Sequence, residues 1–220
     1  MLPILLGWVS LAGAAGIRDV WNSADIDRSL ATGQTVHERP NWTIRVRRAS
    51  KPTGVRRQEY DELAWVRKGR GKVIVDSKEF AVGTRDMVSL PRGVPHEWKP
   101  EGGELAWVSV QVMADGSGLA ARGGFLAPRN MTPVLSRAEI ESTIASNTSN
   151  QPLHSARNYT VNYVIYAGKE GPWELHKGCV DVYFLYTGTA QALLGGDIES
   201  AREESPGEVR GTGMRGSRAY

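Results

Sequence analysis

Between residues 42 and 112 hydrophobic and polar positions alternate in short runs. Residues 42–49, 62–67, 72–76, 87–90 and 104–112 combine β-branched and aromatic side chains with a rough period of two, the pattern of half-buried strands. The tripeptides "GRG" and "PRG" punctuate them, and 25 glycines along the chain suit many tight turns. Short strands at this density predict an antiparallel barrel or sandwich. Two stretches follow helical spacing instead. "LSRAEIESTIASN" has Ser136, a glutamate three residues later and apolar residues at helical intervals, which predicts a capped helix. "SADIDRSLA", near residues 23–31, predicts a second short helix.

The strand pattern recurs. "NWTIRV" begins at Asn41 and "NYTVNYVIY" at Asn158, each followed by a turn rich in Gly, Pro and Lys. Then "DELAWVRKGRGKVIV" from Asp61 answers "VDVYFLYTGTAQALL" from Val180. Setting Gly69 on Gly188 places Glu62 on Asp181, and the intervening turn differs slightly in length. This predicts a duplication.

"DELAWVRKGRGKVIV" followed by "FAVGTRDMVSLPRGVPHEW" resembles the two signature motifs of the cupin superfamily. Asp86, Pro91, Gly93 and His96 fall on the second motif, with Arg85 where the family usually has glycine. The resemblance implies an all-β jelly-roll barrel (a double-stranded β-helix), duplicated, with an incomplete second copy and one or two short helices. It divides the chain into a candidate leader at 1–16, a segment with a short helix at 17–40 and a first barrel at 41–113. A linker with a helix follows at 114–156, then the first half of a second barrel at 157–220. In the family, His-x-His and a glutamate of the first motif join the later histidine as ligands of a transition metal.

The first copy departs from that set. Arg56, Arg57 and Gln58 stand near the His-x-His positions, and arginine cannot shed its proton to become a ligand. Glu62 and His96 remain. An arginine facing the lumen would instead suit a carboxylate or phosphate, whereas Arg56 and Arg57 at the rim would simply pair with Glu59, Asp61 or Glu62. Arg56, Gln58, Glu62, Trp65, His96 and Trp98 are therefore the expected ligand-binding residues of barrel one.

In the second copy, Glu174, His176 and Asp181 reproduce the spacing of the first motif with carboxylates in two places. Alternation along a strand puts Glu174 and His176 on one face. A carboxylate, imidazole and carboxylate can hold Mn, Fe, Zn, Ni or Cu. The following "GGDIESAREESPGEVRGTG" reads as a polar, unstructured surface loop. His37 and His154 fall outside both motifs and read as surface or loop residues.

The first reading of function is a module that binds a small polar or acidic molecule. The second is a metal-dependent enzyme of dioxygenase, isomerase or decarboxylase type acting on a small organic acid, a list the resemblance implies. The third is a scaffold, and the family resemblance implies a homodimer.

Composition changes this picture little. A net charge of +3 and the cluster "IRVRRASKPTGVRRQ" could mark a nucleic-acid stripe. The outward face of strands plus a turn is the simpler reading, so no nucleic-acid partner is expected. The single Cys179 excludes an internal disulfide framework and reads as a small buried residue. "MLPILLGWVSLAGAAG" has the apolar run and small residues of a secretory leader without a preceding basic residue, and is short for a membrane span. Cleaved, it would direct the protein to the periplasm or outside the cell; otherwise a cytoplasmic protein is expected.

Overall fold

The computed structural model describes residues 4–9, 11–12, 23–32, 35–113, 133–146, 151–156, 158–165, 171–177 and 179–219. The chain divides into two compact units. The central unit comprises Trp21–Met113 and Asn130–Ala145, and the terminal unit Met1–Val20, Ala114–Arg129 and Ser146–Tyr220.

The first elements in chain order are β1 (Ile4–Val9), β2 (Leu11–Ala12), α1 (Ser23–Thr32), β3 (Thr35–Arg39), β4 (Trp42–Ala49) and β5 (Asp61–Lys68). Next come β6 (Arg70–Val75), β7 (Lys78–Gly83), β8 (Met87–Leu90), β9 (His96–Pro100), β10 (Leu105–Val112), β11 (Val134–Leu135) and α2 (Arg137–Ser146). The rest are β12 (Gln151–Ser155), β13 (Thr160–Ile165), β14 (Trp173–His176), β15 (Cys179–Val180), β16 (Phe184–Thr187) and β17 (Leu193–Leu194). They end with β18 (Asp197–Glu199), β19 (Arg202–Ser205), β20 (Glu208–Gly211), β21 (Gly213–Arg215) and β22 (Arg218–Ala219).

The central unit is an antiparallel jelly-roll barrel. A six-stranded sheet in the order β11-β8-β5-β10-β4-β3 joins a three-stranded sheet, β7-β6-β9. Ala64, Val66, Val88, Leu90, Leu105 and Trp107 of the larger sheet share one buried cluster with Val73, Val75, Val82 and Trp98 of the smaller. Trp98 and Trp107 stack with ring centres 4.4 Å apart, which fixes the lumen side of both sheets.

Register extends that side across the larger sheet. Trp107 faces Arg47 and Val66; Ser109 faces Arg45 and Ala64; Gln111 faces Thr43 and Glu62. The alternate positions Ile44, Val46, Trp65, Val108 and Val110 lie on the opposite face and are also buried. There Val46 and Ala106 pack against Leu30 of α1. The sheet is therefore apolar on both faces at one end, and polar on its inner face at the other.

Local chemistry fixes the connections. Gly69 turns β5 into β6 at φ 86°, and a Cβ there would meet the Glu104 carbonyl oxygen at 2.1 Å. Ser136 and Glu139 form the expected capping box: Ser136 N–H donates to Glu139 Oε2 at 2.8 Å and Glu139 N–H to Ser136 Oγ at 3.2 Å. The helices expected near residues 23–31 and from Ser136 appear as α1 and α2.

In the terminal unit one sheet runs β12-β13-β1-β16, all antiparallel. Residues 4–9, within the segment read as a leader, supply the strand between β13 and β16. The small residues 13–16 lie outside the described residues, as do 114–132 of the linker and 166–170 of the second turn. Tyr159, Val161, Tyr163, Val164, Phe184 and Tyr186 are buried in this unit. The stretch expected to be an unstructured loop is instead built of strands: β18 pairs with β21, β19 with β20, and β20 with β14. Its alternation is hidden by glycine and charge, and cross-strand ion pairs such as Arg215 with Glu199 accompany the pairing.

Two histidines are not surface residues. His37 is buried and stacks on Trp42 with ring centres 4.8 Å apart. His154 packs against Tyr159 with ring centres 5.5 Å apart. The side chain of Cys179 lies outside the described residues.

Candidate functional site

The inner face of the central unit changes character along the strands. Tryptophan, valine and leucine fill one end. Toward the other end β4, β5 and β10 carry Thr43, Arg45, Arg47, Glu62, Ser109 and Gln111. A cavity of about 440 Å³ opens there, walled by Thr43, Arg45, Tyr60 and Gln111, with Glu38 and Arg39 beside them.

Arg45 and Arg47 alternate with Ile44 and Val46, and the apolar pair takes the face packed under α1. The arginines are thereby turned inward, contrary to the expectation that "IRVRR" shows its charges to solvent. Their Nε atoms are shielded from solvent and have no hydrogen-bond partner among the described residues. Nearby, Gln111 Nε2 donates to Ser109 Oγ at 3.3 Å, which leaves the amide oxygen as an acceptor. Burial, followed by the Glu62 carboxylate, raises the Tyr60 phenol above its ordinary pKa against the pull of Arg47, Arg45 and Arg56. Tyr60 is thus a neutral hydroxyl, able to donate.

The expected residues of barrel one are dispersed. Glu62 and His96 are buried, and register places both on the inner side. His96 Nδ1 lies 3.2 Å from the Val94 carbonyl. Trp98 is inside as well, in the apolar stack. Arg56 pairs with His96 through backbone hydrogen bonds, while its exposed side chain donates to the Thr53 carbonyl at 3.3 Å. Arg57 likewise donates to the Gly93 carbonyl at 3.1 Å, and Gln58 to the Leu90 carbonyl at 3.4 Å. Trp65 sits opposite Val108 on the other face, because alternation from Ala64 requires it. Sequence reasoning missed Thr43, Arg45, Arg47, Tyr60 and Gln111; the signal was the period-two spacing of the arginines within a strand.

The terminal unit holds a second cluster. Glu174, His176 and Asp181 offer ligand atoms that all lie within 4.8 Å of one another. His176 Nε2 is 3.0 Å from Asp181 Oδ2 and 3.6 Å from Glu174 Oε1, and all three side chains are nearly shut off from solvent. Burial lowers the His176 pKa, but the hydrogen bonds and charges of Asp181 and Glu174 outweigh it and hold the imidazole at about 9. β20 pairs with β14 and brings Arg210 within 3.8 Å of Glu174 Oε2. Two carboxylates and an imidazole fit a first-row divalent ion by donor chemistry.

Residues 42–111 match the family described as Cupin domain. No curated protein matches the chain. Solved structures similar to it include a Cupin 2 conserved barrel domain protein from Leptotrichia buccalis, at 25% identity over 36% of this chain and 39% of that one, with a TM-score of 0.34. The Cnp3 cupin domain of Schizosaccharomyces pombe is 16% identical over 36% of this chain and 60% of that one, with a TM-score of 0.34. A cupin 2 conserved barrel domain protein from Rhodopseudomonas palustris is 20% identical over 37% and 59%, again with a TM-score of 0.34. The chain thus spans from 39% to 60% of the length of these proteins.

Proposed function

We propose that the cupin domain this chain carries at residues 42–111 binds a small polar molecule at the polar end of its barrel. The observation that carries the reading is the cavity of about 440 Å³, a size that suits small-molecule sites, with Thr43, Tyr60 and Gln111 in its wall. Metal chemistry has less support here. Among the described residues the group of three potential metal ligands lies in the terminal unit, and Glu62 and His96 do not form one with a third donor. Thermal unfolding with panels of neutral and charged metabolite-sized compounds tests the reading. A ligand held at a hundred times its Kd adds about 2.7 kcal/mol to the stability of the folded state. The resulting rise in Tm should disappear in Gln111→Leu, which removes a polar wall at nearly constant volume. A panel with no stabilising compound would reject the reading.

A second reading is supported by Glu174, His176 and Asp181. These three would hold a divalent Mn, Fe, Zn, Ni or Cu ion, which when bound supplies Lewis acidity toward an organic acid. The chain's own residues would fix its position: β14 sets Glu174 and His176 on one face, and Asp181 approaches from beyond β15. Elemental mass spectrometry of the purified protein should find about one such ion per chain, lost in His176→Ala. A metal-free wild type would exclude this site.

The terminal unit is read as a second, diverged copy of the barrel. The run β12-β13-β1-β16 parallels β3-β4-β10-β5 in order and antiparallel sense, and Gly188 has the same φ of 86° as Gly69.

A further inference from the structure

Arg39 and Arg45 line the cavity, with Glu38 as the acidic residue in its wall, so the lining carries an excess of positive charge. Arg39 is held at the rim, where its Nη1 donates to the Glu38 carbonyl at 3.0 Å. Arg45 lies further in, and Arg47 follows it two residues along β4 on the same face. A shielded guanidinium N–H without an acceptor is costly, and the natural complement to a planar fork is a carboxylate.

The remaining polar groups select further. Glu62 is buried at the position facing Gln111, and it and Glu38 are acceptors. The Gln111 amide gives one of its two N–H groups to Ser109 Oγ and offers its oxygen as an acceptor. A ligand with no donor would leave the Glu38 carboxylate and the Gln111 oxygen at the cavity wall unmet. A ligand with one carboxylate and an adjacent donor satisfies both sets.

We infer that Arg45 and Arg47 hold the carboxylate of a small organic acid whose hydroxyl or ammonium group donates to Glu38 and the amide oxygen of Gln111. The inference rests on the proposed small-molecule site and names the class of its ligand. The neutral Tyr60 hydroxyl gives the carboxylate a further donor at the cavity wall.

Four six-carbon probes separate the elements of this claim: gluconate, norleucine, hexanoate and sorbitol, each titrated into the full chain and followed by ligand-observed NMR. Gluconate or norleucine should bind at least about tenfold more tightly than hexanoate, since unpaired polar groups in a site discriminate strongly. Which of the two binds better tells hydroxyl from ammonium, and sorbitol should not bind. Arg45→Gln should weaken the preferred acid by about tenfold or more while circular dichroism stays unchanged. Arg45→Lys, which keeps the charge but loses the fork, is the second variant should the glutamine form not fold, and it too should weaken binding. Sorbitol binding without either acid would leave the small-molecule site standing and overturn the ligand class. Hexanoate matching the other acids, or unaltered affinity in a folded Arg45 variant, would overturn it as well. If none of the four binds, the inference fails; if the wider compound panel is also blank, the site falls with it.

Discussion

The carboxylate of Asp86 accepts the backbone N–H of Arg137, the first residue of α2, at 2.6 Å from Oδ1. Its other oxygen accepts from Gly83 N–H, also at 2.6 Å. One nearly buried side chain thus closes the turn between β7 and β8 and satisfies an amide at the start of a helix far along the chain. Hydrogen bonds to a charged group contribute about 1.5–3 kcal/mol. Asp86→Ala should therefore destabilise the central unit by about 3 kcal/mol and Asp86→Asn by about half that, read from urea unfolding followed by tryptophan fluorescence. An effect below 0.5 kcal/mol, roughly that of an ordinary surface substitution, would show that the pair does not hold α2 in place.

Beside it, Arg85 adopts φ 78°, in the left-handed region that glycine enters freely. The residue stays there because its N–H donates to the Val66 carbonyl at 2.8 Å. Its ion pair with Glu141 is long, at 3.9 Å, and half exposed, so that pair contributes little. Arg85→Gly should stabilise the unit by about 0.5–1 kcal/mol in the same unfolding experiment.

Burial holds the His154 imidazole at a pKa of about 4, well below its ordinary value of 6.5. The unfolded chain takes up the proton first, so the terminal unit loses stability as pH falls from about 6.5 to about 4 and is unaffected above that window. The full loss is at most about 3 kcal/mol. Hydrogen exchange of residues 158–165 should show less protection at pH 5 than at pH 7, after correction for intrinsic rates, and His154→Phe should flatten the difference. Equal protection at both pH values in the wild type would contradict the burial argument.

Arg210 stands near Glu174 on β20, where its charge opposes any cation at the cluster. Half-exposed charges of this kind act at about the 1 kcal/mol level. Arg210→Gln should therefore tighten divalent metal binding by about fivefold in a competition with a fluorescent chelator. Weaker binding would mean that Arg210 orients the carboxylate.

The strands and the capped helix were legible because both rest on local periodicity. The direction of Arg45 and Arg47 was not. Alternation tells that Ile44 and Val46 share a face and the arginines the other, but an isolated strand does not say which face is the lumen. The usual choice of apolar inward fails here because α1 covers the outer face, burying Leu30 against Val46 and Ala106. Trp65 was misplaced for the same reason. The Glu174, His176 and Asp181 cluster was readable because its spacing follows a strand and the turn after it. The part played by Arg210 depended on a register that only pairing reveals.

The run 4–9 illustrates an ambiguity of another kind, since an apolar hexamer suits a secretory leader and a central strand alike. The intact mass of the protein recovered from its native host decides between them. A chain retaining residues 1–12, with slow amide exchange at 4–9, is the outcome expected of a strand. Loss of the segment with an unchanged exchange pattern over 160–165 would assign it to export.

If the segment is kept, the position of β1 sets a timetable. Ile4 pairs with Ile165, about 160 residues later, so the contact is among the most non-local the chain can make. At a synthesis rate of about 5–20 residues per second, the first strand would wait roughly 10–30 s on the ribosome for its neighbours. The whole central unit emerges in that interval and can fold. The terminal sheet would then assemble only after its partners β13 and β16 emerge, and until that moment the nascent chain would carry an unclaimed apolar strand for chaperones to guard.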